Sequence, residues 1–244
     1  MMKARVILSM VVVALVAQVS FGGLVGQWTF DDPQNPGGTI YGDPVFSSGD
    51  MILDGDDGLN TGINGVAGAG ARTISAWVKV DDGNYGGSII SYGDHSATGL
   101  GTRFTFKINN DSGVLRCEIA GGFSIGTTSV TDGQWHHVAL TTAEGDGDTA
   151  NVKFYIDGQQ DAVADYGNAN PIDSDAAEMS IGYSKAFYDL GWAGAMELIG
   201  GLDDVRVYDE QLSSSEVAAL VPEPATMSLL AIGAFGLISS RKRK

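Results

Sequence analysis

The chain has 244 residues, of which 35 are glycine and one is cysteine. Its formal net charge is −16; residues 23–220 alone carry eight basic residues against 29 acidic ones, a net charge of −21. That excess excludes recognition of a nucleic-acid backbone, which needs basic patches, and a single cysteine excludes any intramolecular disulfide.

At the N-terminus, Lys3 and Arg5 precede an apolar stretch, Val6–Val19, with small residues following at Ser20 and Gly22. This is the pattern of a secretory signal peptide, cleaved after Gly22. Val25–Phe30 reads as a first strand, Asp31–Gly38 as a loop, and Met51-Ile52-Leu53 as a short strand ending in the acidic turn Asp54–Gly58. Arg72–Val80 alternates, with Ile74, Ala76, Val78 and Val80 on one face. Ser88–Tyr92 follows. Arg103–Ile108 and Val114–Ala120 flank a Gly-terminated loop and form a hairpin. Trp135–Thr142 and Asn151–Ile156 flank the acidic loop Ala143–Ala150, and Asp157-Gly158 turns into Gln160–Ala164. Glu178–Tyr183 and Leu202–Tyr208 complete the strands, with Lys185–Gly201 between them as a long surface loop. Only Ser213–Leu220 reads as helix, opened by a Ser213/Glu216 capping box.

Short strands punctuated by Gly and Asp turns predict an all-β fold, a two-sheet antiparallel jelly-roll sandwich over residues 23–220. Leu115, Cys117 and Ile119 share one strand face, which makes Cys117 a buried thiol. His136 and His137 are neighbours on opposite faces and cannot ligate one metal together. Arg206 points away from Val205 and Val207 and is expected to pair with an acid.

The C-terminal end has three parts: Val221-Pro222-Glu223-Pro224, the apolar run Ala225–Ser240, and the basic Arg241-Lys242-Arg243-Lys244. Basic residues stay on the cytoplasmic side of a membrane, so the remainder lies outside. In this order the parts resemble the PEP-CTERM sorting signal of Gram-negative bacteria, over residues 221–244. The resemblance implies a hydrophobic helix transiently inserted in the inner membrane and processing by an exosortase. It also implies an exported protein, first tethered and then at the cell surface or in the extracellular matrix.

Four segments of the core carry a second resemblance: Leu24–Asp31; Leu53–Leu59 with Thr73–Lys79; Asp132–Ala139 with Val152–Gly158; and Gly201–Tyr208 with Leu212, Ser213 and Glu216. Together they resemble the laminin-G-like, concanavalin A-like jelly-roll domains. The resemblance implies one structural Ca²⁺, with Asp31 and Asp203 as the matching ligands. Oxygen donors suit Ca²⁺, which takes about 6–8 of them. Glu144-Gly145-Asp146-Gly147-Asp148 lacks an EF-hand's bidentate Glu and reads as a solvated turn, as do Asp54, Asp56 and Asp57.

Laminarinase-type hydrolases of this architecture place two carboxylates on one strand in a Glu-x-Asp-x-Glu arrangement. That motif is absent, and Glu118, Glu178 and Glu197 are isolated in sequence. The leading reading is therefore a secreted or cell-surface module that is not an enzyme and that binds a glycan, an exopolysaccharide or another matrix component. The aromatics Tyr85, Tyr92, Phe187, Tyr188 and Trp192 form its expected ligand surface. Two alternatives stay open: an envelope structural or protein-interaction module, and a glycoside hydrolase.

Overall fold

The computed structural model describes residues 23–83, 86–94, 102–145, 148–167, 170–189, 191 and 196–221. The expected signal peptide and the hydrophobic tail lie outside these residues. Among the described residues no helix is long and apolar enough to cross a membrane.

Among the described residues sixteen strands follow one another in chain order. They are β1 (Leu24–Trp28), β2 (Thr39–Tyr41), β3 (Val45–Ser47), β4 (Asp50–Asp54), β5 (Gly58–Asn64), β6 (Arg72–Lys79), β7 (Gly87–Gly93) and β8 (Arg103–Ile108). Then come β9 (Val114–Ile119), β10 (Gly122–Ser129), β11 (Trp135–Thr142), β12 (Lys153–Ile156), β13 (Gln159–Asp161), β14 (Val163–Gly167), β15 (Glu178–Ile181) and β16 (Ile199–Tyr208). Among the described residues two short α-helices, α1 (Lys185–Asp189) and α2 (Ser214–Ala219), accompany them. The first sheet runs β13-β12-β11-β6-β16-β4-β3, with β1 also paired to β16; the second runs β14-β10-β9-β8-β7-β15-β5-β2. The pairings are antiparallel, as expected for a sandwich.

The alternation explains the layers. Ile74, Ala76 and Val78 of β6 point inward beside Val138 and Leu140 of β11 and Val205 and Val207 of β16. Facing them are Phe104, Phe106 and Ile108 of β8 and Leu115, Cys117 and Ile119 of β9, all buried. Phe106 and Phe154 stack across the layers with centroids 6.4 Å apart. Burial pushes the Cys117 thiol up to about 12, so it is an inert core residue. Arg206 pairs with Asp204 at 2.6 Å, as its strand position implied.

A second, smaller cluster lies outside the first sheet. There Leu212, Val217 and Leu220 pack on Ala139, Tyr155 and Tyr208. The capping box that opens α2 is formed from both sides: Ser213 Oγ accepts from the Glu216 N–H, and the Ser213 N–H donates to Glu216 Oε2 at 2.7 Å.

Several elements differ from their sequence reading. β1 ends at Trp28, because Phe30 turns into left-handed backbone at φ 54°. The expected strand Gln160–Ala164 is two strands in different sheets, β13 and β14. Asp161 fastens that crossing: it accepts from the N–H and Oγ1 of Thr127 and of Thr128 on β10. Gly126 makes room, since a Cβ there would lie 2.5 Å from Asp161 Oδ2. The segment Lys185–Gly201 is not one long surface loop. It opens with α1, buries Phe187, Met196 and Leu198, and enters β16 at Ile199.

Candidate functional site

The outward face of the second sheet is the chemically richest surface. On β8 the residues between the inward phenylalanines point outward: Arg103, Thr105 and Lys107. On β9 they are Arg116 and Glu118, and on β10 Phe123 and Ile125. Register sets their neighbours: Lys107 lies opposite Arg116, Thr105 opposite Glu118, and Glu118 opposite Phe123. Glu118 divides its carboxylate, one oxygen to Arg103 at 2.7 Å and the other to Arg116 at 2.9 Å. The Arg116 guanidinium lies 4.1 Å from the centre of the Phe123 ring, a cation–π contact. Phe123, Ile125, Arg116 and Glu118 are half-buried, so this half of the face is partly exposed and is the more open of the two.

The other half is covered by the segment after β15. Phe187 lies 4.4 Å under the Arg103 guanidinium. Met196 Sδ receives Lys107 Nζ at 3.7 Å and Ser88 Oγ at 3.6 Å, while the Ser88 N–H donates to Met196 O at 2.8 Å. A hydroxyl chain, Ser184–Ser91–Thr105, runs beneath at 2.8 and 2.9 Å. Burial pushes the Lys107 ammonium down, and Arg116 and Arg103 add to the shift against an opposing pull from Glu118. Beside this cover is a cavity of about 180 Å³ whose lining includes Ser91, Glu178, Ser180, Lys185 and Asp189. Lys185 and Asp189 close an ion pair at its rim.

The expected aromatic surface is only partly where the sequence placed it. Tyr85 and Trp192 lie outside the described residues. Tyr92 is a core residue of β7, 2% exposed: its hydroxyl accepts from Arg72 Nη1 at 2.8 Å and its ring stacks on Phe104. Phe187 is buried beneath Arg103. Tyr188 is exposed, edge-on to Tyr41 at 4.7 Å, and Tyr41 stacks on Tyr183 at 4.5 Å. The aromatic on the open sheet face, Phe123, was not singled out from sequence. Its strand reads as Gly, Ser and Thr, and its partners come from register.

A second place gathers acids. Asp203 is pushed up to about 6, first by burial and then by the charges of Asp204, Asp50 and Asp31, against a hydrogen bond from the Asp204 N–H. A Cβ on Gly49 would lie 3.0 Å from Asp31 Oδ1, which sets Asp31 against the β3–β4 turn. Four non-glycine residues among those described have positive φ, and Phe30, Ser48 and Asp204 of these flank the acids. Left-handed backbone costs energy and gathers at functional sites. Asp204 itself is neutralised by Arg206 and accepts a hydrogen bond from Gln27 Nε2. Asp31 and Asp50 thus lie close enough for their charges to act on Asp203, and all three are hard oxygen donors. Among the described residues the group of three acids whose oxygens all lie within 4.8 Å of one another is a different one, Asp43, Asp56 and Asp57. Asp57, however, accepts the N–H groups of Asp43 and Asp54 and is a turn clamp.

At the end of the described chain, Val221 is half-buried and its N–H donates to Ala218 O at 3.2 Å. Pro222, Glu223 and Pro224 lie outside the described residues.

Comparison with known proteins agrees with this architecture. The profile of the concanavalin A-like lectin/glucanases superfamily matches residues 53–218, and that of the PEP-CTERM protein-sorting motif matches residues 220–244. No curated protein matches in sequence. Domain 4 of AbnA, an extracellular arabinanase from Geobacillus stearothermophilus, is similar in structure, with a TM-score of 0.59 at 20% identity over 82% of this chain and 98% of that one. The sialidase of Trypanosoma rangeli has a TM-score of 0.55 at 19% identity, covering 83% of this chain but 33% of its own. The leech intramolecular trans-sialidase gives 0.54 at 17%, covering 82% and 28%. The chain thus spans a third or less of either sialidase, and at these identities the likeness is one of fold. With two antiparallel sheets, the matched core and the matched tail, the chain belongs to the concanavalin A-like lectin/glucanase superfamily and carries the PEP-CTERM motif of exported, exosortase-processed proteins.

Proposed function

We propose that this protein is a non-catalytic glycan-binding module delivered to the cell surface or extracellular matrix by its C-terminal motif. The observation that carries the reading is the open half of the second sheet, where Arg116 lies on the Phe123 ring beside Glu118. An aromatic face bordered by a few fixed polar groups suits the apolar ring face and hydroxyl rim of a sugar. The arabinanase domain of the same fold was solved with arabinotriose, which supports a saccharide as the ligand class. Binding rather than hydrolysis is supported by the carboxylate inventory. Retaining hydrolysis needs two carboxyl groups about 5–5.5 Å apart. Strands β7 to β10 carry one acid, Glu118, and two arginines hold it.

A structural Ca²⁺ belongs to this reading. Asp31, Asp50 and Asp203 would hold it, and it would neutralise their charge and join β1, the β3–β4 turn and β16.

The test is a glycan array probed with the full chain in detergent, wild type against Phe123→Ala. The variant is expected to keep its thermal midpoint and to lose about tenfold in affinity, which corresponds to about 1.4 kcal/mol. Equal binding by the two proteins removes this face from the function. Capture of proteins with no glycan bound favours an envelope interaction module instead.

A further inference from the structure

Residues 23–221 contain eight Lys and Arg in a strongly acidic chain, and three of them stand together on the second sheet. Arg103 and Lys107 are on β8 and Arg116 is on β9. Lys107 and Arg116 are direct cross-strand partners. Like charges placed opposite one another destabilise a sheet, and a buried ammonium costs more unless it is paired. The protein supplies one carboxylate to the group, and Glu118 is already divided between the two arginines. Lys107 is 4% exposed, and no carboxylate lies within ion-pair distance of it among the described residues. Its polar contact there is the Met196 thioether, a weak acceptor. Arg116 gives Nε to Glu118 and Nη1 to Asn109 at 3.5 Å, which leaves its Nη2 without a partner among the described residues.

Three cationic groups thus share one carboxylate. We propose that Lys107 and Arg116 together bind the acidic group of a charged saccharide, a uronate carboxylate or a sulfate ester, whose ring lies beside the stacked Arg116–Phe123 pair. The proposal rests on the glycan-binding reading of this face and specifies its ligand class. Phe123 orients the Arg116 guanidinium, which lies over its ring, and offers its exposed edge as apolar surface. Lys107 supplies the second charge from below. Met196, which covers it, is unbranched and adapts to a new neighbour at low cost. Charge complementarity also explains selectivity. The rest of the domain is strongly anionic and repels acidic polymers, so an acidic saccharide gains attraction only where this row meets it.

Isothermal titration of the full chain in detergent tests this with four probes: oligogalacturonate, its methyl ester, a sulfated oligosaccharide and a neutral gluco-oligosaccharide. Oligogalacturonate or the sulfated probe is expected to bind at least tenfold more tightly than the neutral ones. Which of the two binds identifies carboxylate or sulfate as the anion. Lys107→Met is expected to erase that difference, with a thermal midpoint equal to or above wild type because an unpaired buried charge is gone. Arg116→Met gives the same readout if the first variant does not fold. Equal affinity for the free acid, the sulfate and the methyl ester overturns the inference and leaves the glycan function standing. An absence of binding to all four overturns both.

Discussion

His136 stands between two carboxylates, with Nδ1 2.9 Å from Asp157 Oδ2 and Nε2 3.1 Å from Asp132 Oδ1. Burial disfavours its charged form, but the hydrogen bonds and charges of Asp157 and Asp132 outweigh burial and raise its pKa. A neutral imidazole has one N–H to give; the cation has two, and both acceptors are in place. A raised pKa contributes stability that is fully present below the unfolded value of about 6.5 and is lost as pH rises through the folded value. The thermal midpoint of the wild type is therefore expected to fall between pH 6 and 8 relative to His136→Gln. Parallel midpoint curves for the two proteins contradict this. The neighbouring His137 behaves in the opposite way. Burial holds it down to about 4, against Trp77, so it stays neutral across the same range. Adjacent histidines on opposite strand faces thus divide into one pH-responsive group and one inert group.

Among the elements, the segment between β15 and β16 decides how much of the second sheet is open. Its return leg is zipped to β7 at Gly87, which has φ +137°. A Cβ there would lie 2.3 Å from Leu198 Cα and 2.7 Å from Glu197 O. Gly87→Ala is expected to cost about 2–3 kcal/mol in urea unfolding through strain and displacement of this leg, and to raise hydrogen exchange at Ser88 and Leu198. Unchanged exchange at both amides counts against the zipper. Strands such as β6, β8, β9 and β11 were legible in the sequence because buried and outward residues alternate without interruption. β10 was not, since Gly122, Gly126 and its Ser/Thr run carry no hydrophobic pattern; pairing with β9 and β14 and the Asp161 clamp make it a strand. Tyr92 ends the strand Ser88–Tyr92 that the sequence marks, and it is core rather than ligand surface because a buried guanidinium from another strand satisfies its hydroxyl. The Lys107–Arg116 pair depends on a register set by a five-residue loop and on a cover from nearly ninety residues later. Neither is a property of the local sequence.

At the scale of the whole molecule, the proposed calcium site would join the first strand to the last. Adding Ca²⁺ to chelator-treated full-length protein is expected to raise its midpoint by about 5 °C, as saturating a site that only the folded state offers would do. Asp203→Asn should raise the midpoint in chelator and lose the calcium response. A wild type indifferent to millimolar Ca²⁺ removes the ion from this protein. The small cluster around α2 has a different consequence. Leu220 is packed on the first sheet, and the sorting-motif match starts at that same residue. Only Val221–Pro224 separate it from the apolar run, and four extended residues reach at most ~14 Å. The tail thus leaves the domain on the side of the first sheet, whereas Phe123, Arg116 and Lys107 belong to the second sheet, clear of the point of attachment.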